Sequence, residues 1–142
     1  MRRQGGFSLV EILVVLVILG LLVSVVAPTV LNQADDARIK KVYADFANIE
    51  TALKLYKLDN FVYPSSEQGL EALVTASTLD PEPRNFKQGG YLDRVPVDPW
   101  GRTYLYLSPG ENGEFDLYSL GADGISGGEG QNIDLGNWDA DD

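Results

Sequence analysis

The sequence predicts an α+β fold in which one long N-terminal helix, its first half in a membrane, packs its second half on a small antiparallel sheet. Three observations carry this reading. Phe7 to Ala27 (FSLVEILVVLVILGLLVSVVA) is almost entirely apolar and holds a single charge. A stripe of apolar residues at helical spacing follows. Two short segments rich in β-branched and aromatic residues, flanking one turn, then read as strands. With 142 residues, the chain has room for one ordinary domain beside such a helix, not two.

The apolar run comes first. A helix of that length rises roughly 30 Å, enough to cross a hydrocarbon core. Arg2 and Arg3 precede it and the first charges after it are Asp35 and Asp36, so the positive-inside bias puts the N-terminus in the cytoplasm. The competing reading is a secretory signal peptide, whose apolar region is shorter and ends at a small-residue cleavage site. This one runs on into Pro28. The basic head ends in Gly5-Gly6, a flexible peptide open to a protease at the cytoplasmic face. Glu11 is the only ionisable residue in the run. A carboxylate in a span is costly enough to be read as functional by default, the alternative being one that snorkels from the first turns. Cleavage after Gly6 would give Phe7 a free α-amine four residues from Glu11, able to pair with the Glu11 carboxylate of a neighbouring subunit.

Beyond Pro28 the stripe Ile39, Val42, Phe46, Ile49, Leu53 and Tyr56 repeats at intervals of three and four, one face of a helix. Lys40, Lys41, Asp45, Glu50, Lys54 and Lys57 lie between as a solvated face. The helix is therefore predicted from about Phe7 to Asp59, kinked or loosened at Pro28, where one backbone donor is missing. Packing on a small domain accounts for the stripe more simply than a two-stranded coiled coil over so few heptads.

Ser65 with Gln68 three residues later fits a capping box and predicts a short second helix. Residues 75 to 90, with Pro81, Pro83, Gly89 and Gly90, read as a surface loop. Tyr91 to Asp98 is extended and interrupted by Pro96. Asp98 to Arg102 is a turn that leaves Trp100 free to pack on the core. Thr103 to Leu107 is a strand, Ser108 to Gly113 a hairpin connection, and Glu114 to Leu120 the returning strand. Trp138 is expected to pack the tail on the domain, and Asp139, Asp141 and Asp142 to be solvated and frayed.

Composition removes most chemistry. Lys and Arg number 11 against 21 Asp and Glu, a net charge of -10, so a broad nucleic-acid-binding face is excluded. There is no Cys and no His, hence no disulfide, no thiolate nucleophile, no Cys-ligated zinc and no imidazole base. No nucleophile elbow, phosphate loop or dinucleotide fingerprint is present. A periplasmic hydrolase using paired carboxylates would be the cheapest enzyme, yet none of the acids sits in a recognisable motif.

The glycine-rich segment Leu120 to Asp134 is the one candidate metal site. Its backbone can turn carbonyls inward, and Asp123, Glu129 and Asp134 supply anionic oxygens, a donor set suited to Ca²⁺. It is no EF-hand, since Ile125 and Gly127 stand where side-chain ligands are required. Spacing alone leaves open a plain glycine-rich turn with solvated acids. The segment has too few apolar residues to hold itself by burial, so an ion there would act as a fold element.

Gly6-Phe7-Ser8-Leu9-Val10-Glu11 resembles the class III signal of type IV pilins and type II secretion pseudopilins. That resemblance implies a leader at residues 1–6 removed after Gly6 by a prepilin peptidase, N-methylation of Phe7, and a role for Glu11 in assembly. It implies a membrane and filament-core helix over 7–27 and a periplasmic domain over 28–142. The stretches YPSSEQGLEALV, VPVDPWGRTYLY and SLGADG with DLGNW are similar to the major pseudopilins of type II secretion systems, which implies a type IV pilin-like fold. The implied function is the main structural subunit of a periplasmic pseudopilus that drives folded proteins across the outer membrane of a bacterium. Its partners would be its own copies, minor pseudopilins and the inner-membrane assembly platform. The resemblance also implies a structural Ca²⁺ held by the Leu120 and Ile125 carbonyls and the Asp123 and Asp134 carboxylates, with Glu129 and Asn132 the less secure candidates. A type IV pilus subunit for adhesion or motility is the alternative, disfavoured by the missing Cys pair. So is a monomeric tethered calcium module, for which Glu11 and the Gly6-Phe7 junction would have no purpose.

Overall fold

The computed structural model describes residues 5–140. The basic head Arg2-Arg3 and the terminal Asp141 and Asp142 lie outside the described residues. A helix, α1 (Leu9–Asn60), is followed by three short antiparallel strands: β1 (Leu105–Leu107), β2 (Asp116–Ser119) and β3 (Leu135–Gly136). The strand order is β1-β2-β3. The chain divides into two compact units, Met1–Ala37 and Arg38–Asp142.

In the first unit, α1 is long and apolar enough to cross a membrane. Every Leu, Ile and Val from Leu9 to Val26 is at least half exposed, so over this stretch the helix shows apolar side chains on all faces and none of them is buried by another described residue. The helix continues through Pro28 without interruption. The missing Pro28 donor costs one hydrogen bond, and the turns on either side keep the helix continuous, as its predicted span requires.

In the second unit the stripe faces inward as its spacing predicts. Val42, Phe46, Ile49, Leu53 and Tyr56 are all buried and Ile39 is partly so. They meet Leu70, Leu73, Tyr104, Tyr106, Phe115, Leu117 and Leu135 in one core. Phe46 stands edge-on to Tyr104 with ring centres 5.3 Å apart, a geometry aromatic quadrupoles favour. The outer face carries the ion pairs Lys41–Asp45 and Lys54–Glu50 at i,i+4 spacing. The helix ends where Asn60, buried, donates to the Tyr56 carbonyl at 3.1 Å and accepts the Asn85 amide at 2.8 Å.

The capping exchange at Ser65 and Gln68 forms as predicted. Gln68 Oε1 accepts the Ser65 amide at 2.8 Å and Ser65 Oγ accepts the Gln68 amide at 3.2 Å. No α-helix follows: the chain makes turns and then one 3₁₀ helix, Leu70–Leu73. Gly69 sits at φ +63°, outside the right-handed helical region, so the helical path is broken one residue after the cap. Gln68 Nε2 instead donates to the Leu79 and Pro81 carbonyls at 2.7 and 2.9 Å, tying down the following loop.

The strands are shorter than predicted. β1 pairs β2 with Leu105 opposite Tyr118, Tyr106 opposite Leu117 and Leu107 opposite Asp116. Thr103 joins only through a bridge to Val97. Asp116 is buried because its carboxylate holds the hairpin connection, accepting from the Glu111 amide at 2.8 Å and from Asn112 Nδ2 at 3.0 Å. β3 was not foreseen; it adds Tyr118 opposite Gly136 and Ser119 opposite Leu135.

Candidate functional site

At the N-terminus, Glu11 lies in the first turn of α1. Its Oε2 accepts the Ser8 amide at 3.3 Å while Ser8 Oγ accepts the Val10 amide at 3.2 Å. This reciprocal exchange satisfies two otherwise orphaned amides, and the carboxylate complements the positive end of the helix dipole. Ser8 is a partner that sequence reasoning missed, although its spacing to Glu11 is that of a capping box. Phe7 is 84% exposed, beside Gly6 and ahead of the apolar helix.

The C-terminal loop folds as two arms that meet. Ala122 donates its amide to the Gln131 carbonyl at 2.9 Å. On the first arm the Leu120 carbonyl accepts the Gly124 amide at 3.2 Å, and Asp123 Oδ1 accepts the Ile125 amide at 3.0 Å. On the second, Asp134 Oδ2 accepts the Gly127 amide at 2.8 Å and the Ser126 hydroxyl at 3.2 Å. The other oxygen, Asp134 Oδ1, is buried and has no hydrogen-bond donor. A buried carboxylate oxygen without a donor is costly unless a cation meets it, so the loop fits an oxygen-ligated Ca²⁺. Among the described residues no group of three or more His, Cys, Asp or Glu side chains is placed to hold a metal ion, so a cation here would draw on backbone carbonyls as well as carboxylates, as Ca²⁺ can. Glu129 is exposed and Asn132 half-buried.

Two side chains hold the segments that flank this loop, and a third bonds the loop itself. Asp98, buried, accepts the Ser119 hydroxyl at 2.8 Å and the Arg102 amide at 2.9 Å. Asn137 Oδ1 accepts the Leu117 amide at 3.0 Å and its Nδ2 donates to Glu50 at 3.2 Å, joining the tail to both sheet and helix. Arg102 reaches from the Asp98–Arg102 turn to the Gly121 and Ala122 carbonyls. Trp138 packs beside Tyr118 with ring centres 6.2 Å apart, while remaining 43% exposed. Asp139 is not frayed as expected: its carboxylate accepts the Gly136 amide at 3.0 Å.

A carboxylate-capped helix, apolar on every face where it begins and carrying a small antiparallel sheet domain where it ends, defines a pilin-like subunit. The particular family follows from its relatives. Residues 29–138 match the family model for type II secretion system (T2SS), protein G, and residues 1–27 match the prokaryotic N-terminal methylation motif. The chain belongs to this protein G family of type II secretion systems, the major pseudopilins. It is 54% identical over 138 residues to the type II secretion system core protein G of Pseudomonas aeruginosa, covering 97% of each chain. It is 54% identical over 142 residues to that of Vibrio cholerae, covering all of this chain and 97% of the relative. The crystal structure of the major pseudopilin from the type 2 secretion system of enterohaemorrhagic Escherichia coli superposes with a TM-score of 0.69 at 45% identity. It covers 77% of this chain and 93% of that one.

Proposed function

We propose that this pseudopilin is a purely structural subunit whose copies polymerise into a periplasmic filament through residues 7–27, moving folded proteins towards the outer membrane. The observation that carries the reading is the state of α1. Its first half exposes apolar side chains on every face, whereas its second half buries one stripe in the domain. A membrane satisfies the first half before assembly, and other copies of the same helix satisfy it in a filament. Minor pseudopilins and the inner-membrane platform are the further partners of such an assembly.

Under the same proposal a prepilin peptidase cuts after Gly6 and methylates Phe7, with residues 28–142 in the periplasm. Glu11 then meets the Phe7 α-amine of a neighbour, exchanging a capping role within one chain for charge neutralisation between two. The proposal predicts that Glu11→Ala is inserted and processed, with a normal mature mass, yet gives no filaments. Normal filament yield from that variant would remove the assembly role of Glu11.

The second part of the proposal is a structural Ca²⁺ held by the Leu120 and Ile125 carbonyls, Asp123 and Asp134. The ion would supply a positive centre linking the two arms of the loop. The donorless Asp134 Oδ1 supports this site.

A further inference from the structure

The Asp98–Arg102 turn is closed through the Arg102 backbone alone. The Asp98 amide donates to the Arg102 carbonyl at 2.7 Å and the Arg102 amide to Asp98 Oδ1 at 2.9 Å. This closes the turn without the guanidinium. The guanidinium extends instead to the C-terminal loop, where one nitrogen, Nη2, donates to the successive carbonyls of Gly121 and Ala122.

Its flat end also lies against Gly124. A Cβ at Gly124 would stand 2.9 Å from Arg102 Cζ and 3.0 Å from Nε, and Gly124 has φ +69°. The turn from Leu120 to Gly124 is thus shaped around the guanidinium, and the Leu120 carbonyl closes it by accepting the Gly124 amide. The Gly121 and Ala122 carbonyls each accept a hydrogen bond from Arg102, and the turn that carries the Leu120 carbonyl and Asp123 packs against its guanidinium.

We propose that Arg102 is a positioning residue for calcium: a resident cation that pre-forms the first arm of the loop and leaves Leu120, Asp123 and Ile125 to the ion. The proposal rests on the calcium reading above. Two effects oppose each other. A guanidinium near a divalent ion repels it, but the repulsion is screened at this exposed rim. Pre-forming the turn spares the ion the entropic cost of ordering it, and the planar guanidinium lies against Gly124 while presenting Nη2 to both carbonyls, a shape that Lys lacks. The ordering effect dominates, so losing Arg102 weakens binding.

The test is calorimetric titration of CaCl₂ into the full chain in detergent micelles, after chelator treatment and exchange into chelator-free buffer. Arg102→Ala should raise the Ca²⁺ Kd roughly 10- to 100-fold, the range usual for outer partners of a metal site. Arg102→Lys should fall between it and the parent. Gly124→Ala keeps the charge but places a methyl where the guanidinium lies, and should also raise the Kd; it serves where Arg102→Ala does not fold. An unchanged Kd in Arg102→Ala with a lower unfolding temperature in chelator would make Arg102 a simple brace and overturn the proposal. Tighter binding would overturn it too, showing repulsion to dominate. A parent chain that takes up no Ca²⁺ would sink the calcium reading itself and this proposal with it, an outcome distinct from either variant result.

Discussion

Tyr104 donates its hydroxyl to the Asp45 carboxylate at 2.6 Å, joining the residue ahead of β1 to the polar edge of α1. The same carboxylate holds Lys41. Burial, with the Asp45 hydrogen bond second, pushes the Tyr104 hydroxyl far above the usual tyrosine range. Tyr104→Phe keeps the ring against Phe46 and removes only this bond. The expected loss is about 1–2 kcal/mol, read as a lower urea midpoint for the full chain in micelles. An unchanged midpoint would show that Lys41 alone satisfies Asp45.

Phe61 offers the opposite sign. It follows the last residue of α1 at φ +68°, the one non-glycine at positive φ among the described residues, and is 72% exposed. Its amide still bonds the Lys57 carbonyl at 2.7 Å, so the conformation is that of a helix C-cap, where glycine is favoured. Phe61→Gly should raise stability by about 1 kcal/mol, the strain of a bulky residue there less the entropy glycine adds to the unfolded chain. A destabilised variant would mean the exposed ring supports the domain.

Glu114 joins the hairpin to the helix end: it accepts from Lys57 at 2.6 Å and from the Tyr63 hydroxyl at 3.1 Å. The Lys57 and Tyr63 hydrogen bonds hold the Glu114 carboxyl below its ordinary 4.5, while the Glu114 bond raises Lys57 above 10.5. A depressed acid stabilises above its unfolded value and loses that contribution as pH falls through the folded one. A raised base stabilises below its unfolded value and loses it as pH rises. Burial, with the Glu114 bond second, likewise raises the Tyr63 hydroxyl above 10.0. The thermal difference between the parent and Glu114→Gln should therefore be level from pH 4.5 to 10.0 and shrink beyond both ends. A difference that grows in acid would contradict the assignment.

Calcium should appear as a linked stability. At a free concentration 100-fold above its Kd, a single ion adds about 2.7 kcal/mol, visible as a rise in unfolding temperature that a chelator reverses. Asp134→Asn should abolish most of that rise, because it replaces the buried, donorless oxygen's charge. A rise of parental size in this variant would place the ion elsewhere.

The long helix was legible because its inward residues repeat at three and four, and burial simply follows the period. The hairpin was legible in its centre, but not in its ends. Thr103 is turned into a bridge by the tight Asp98–Arg102 turn, and Leu120 is claimed by the loop. β3 has two residues, one of them Gly136, too few to show an alternation. The Ser65–Gln68 cap was readable, whereas the break at Gly69 depended on a backbone angle that glycine permits but does not require. In the loop, the sequence supplied acids and glycines; it could not say that Arg102 crosses to carbonyls around 20 residues away, since carbonyls carry no side-chain signature.

β3 follows the loop in sequence, and this has a consequence for the order in which the domain opens. Pairing of Tyr118 with Gly136 and Ser119 with Leu135 requires the whole Leu120 to Asp134 segment to close. That segment is about twice the length of the connection between β1 and β2 and so the costlier closure by about 0.6 kcal/mol, for only two residues of strand. Amide protons of the third strand should therefore exchange with solvent before those of the hairpin. A nick in the loop by a protease would then make the third strand, with its buried Leu135 and the Asn137 bonds, the first part of the domain to open.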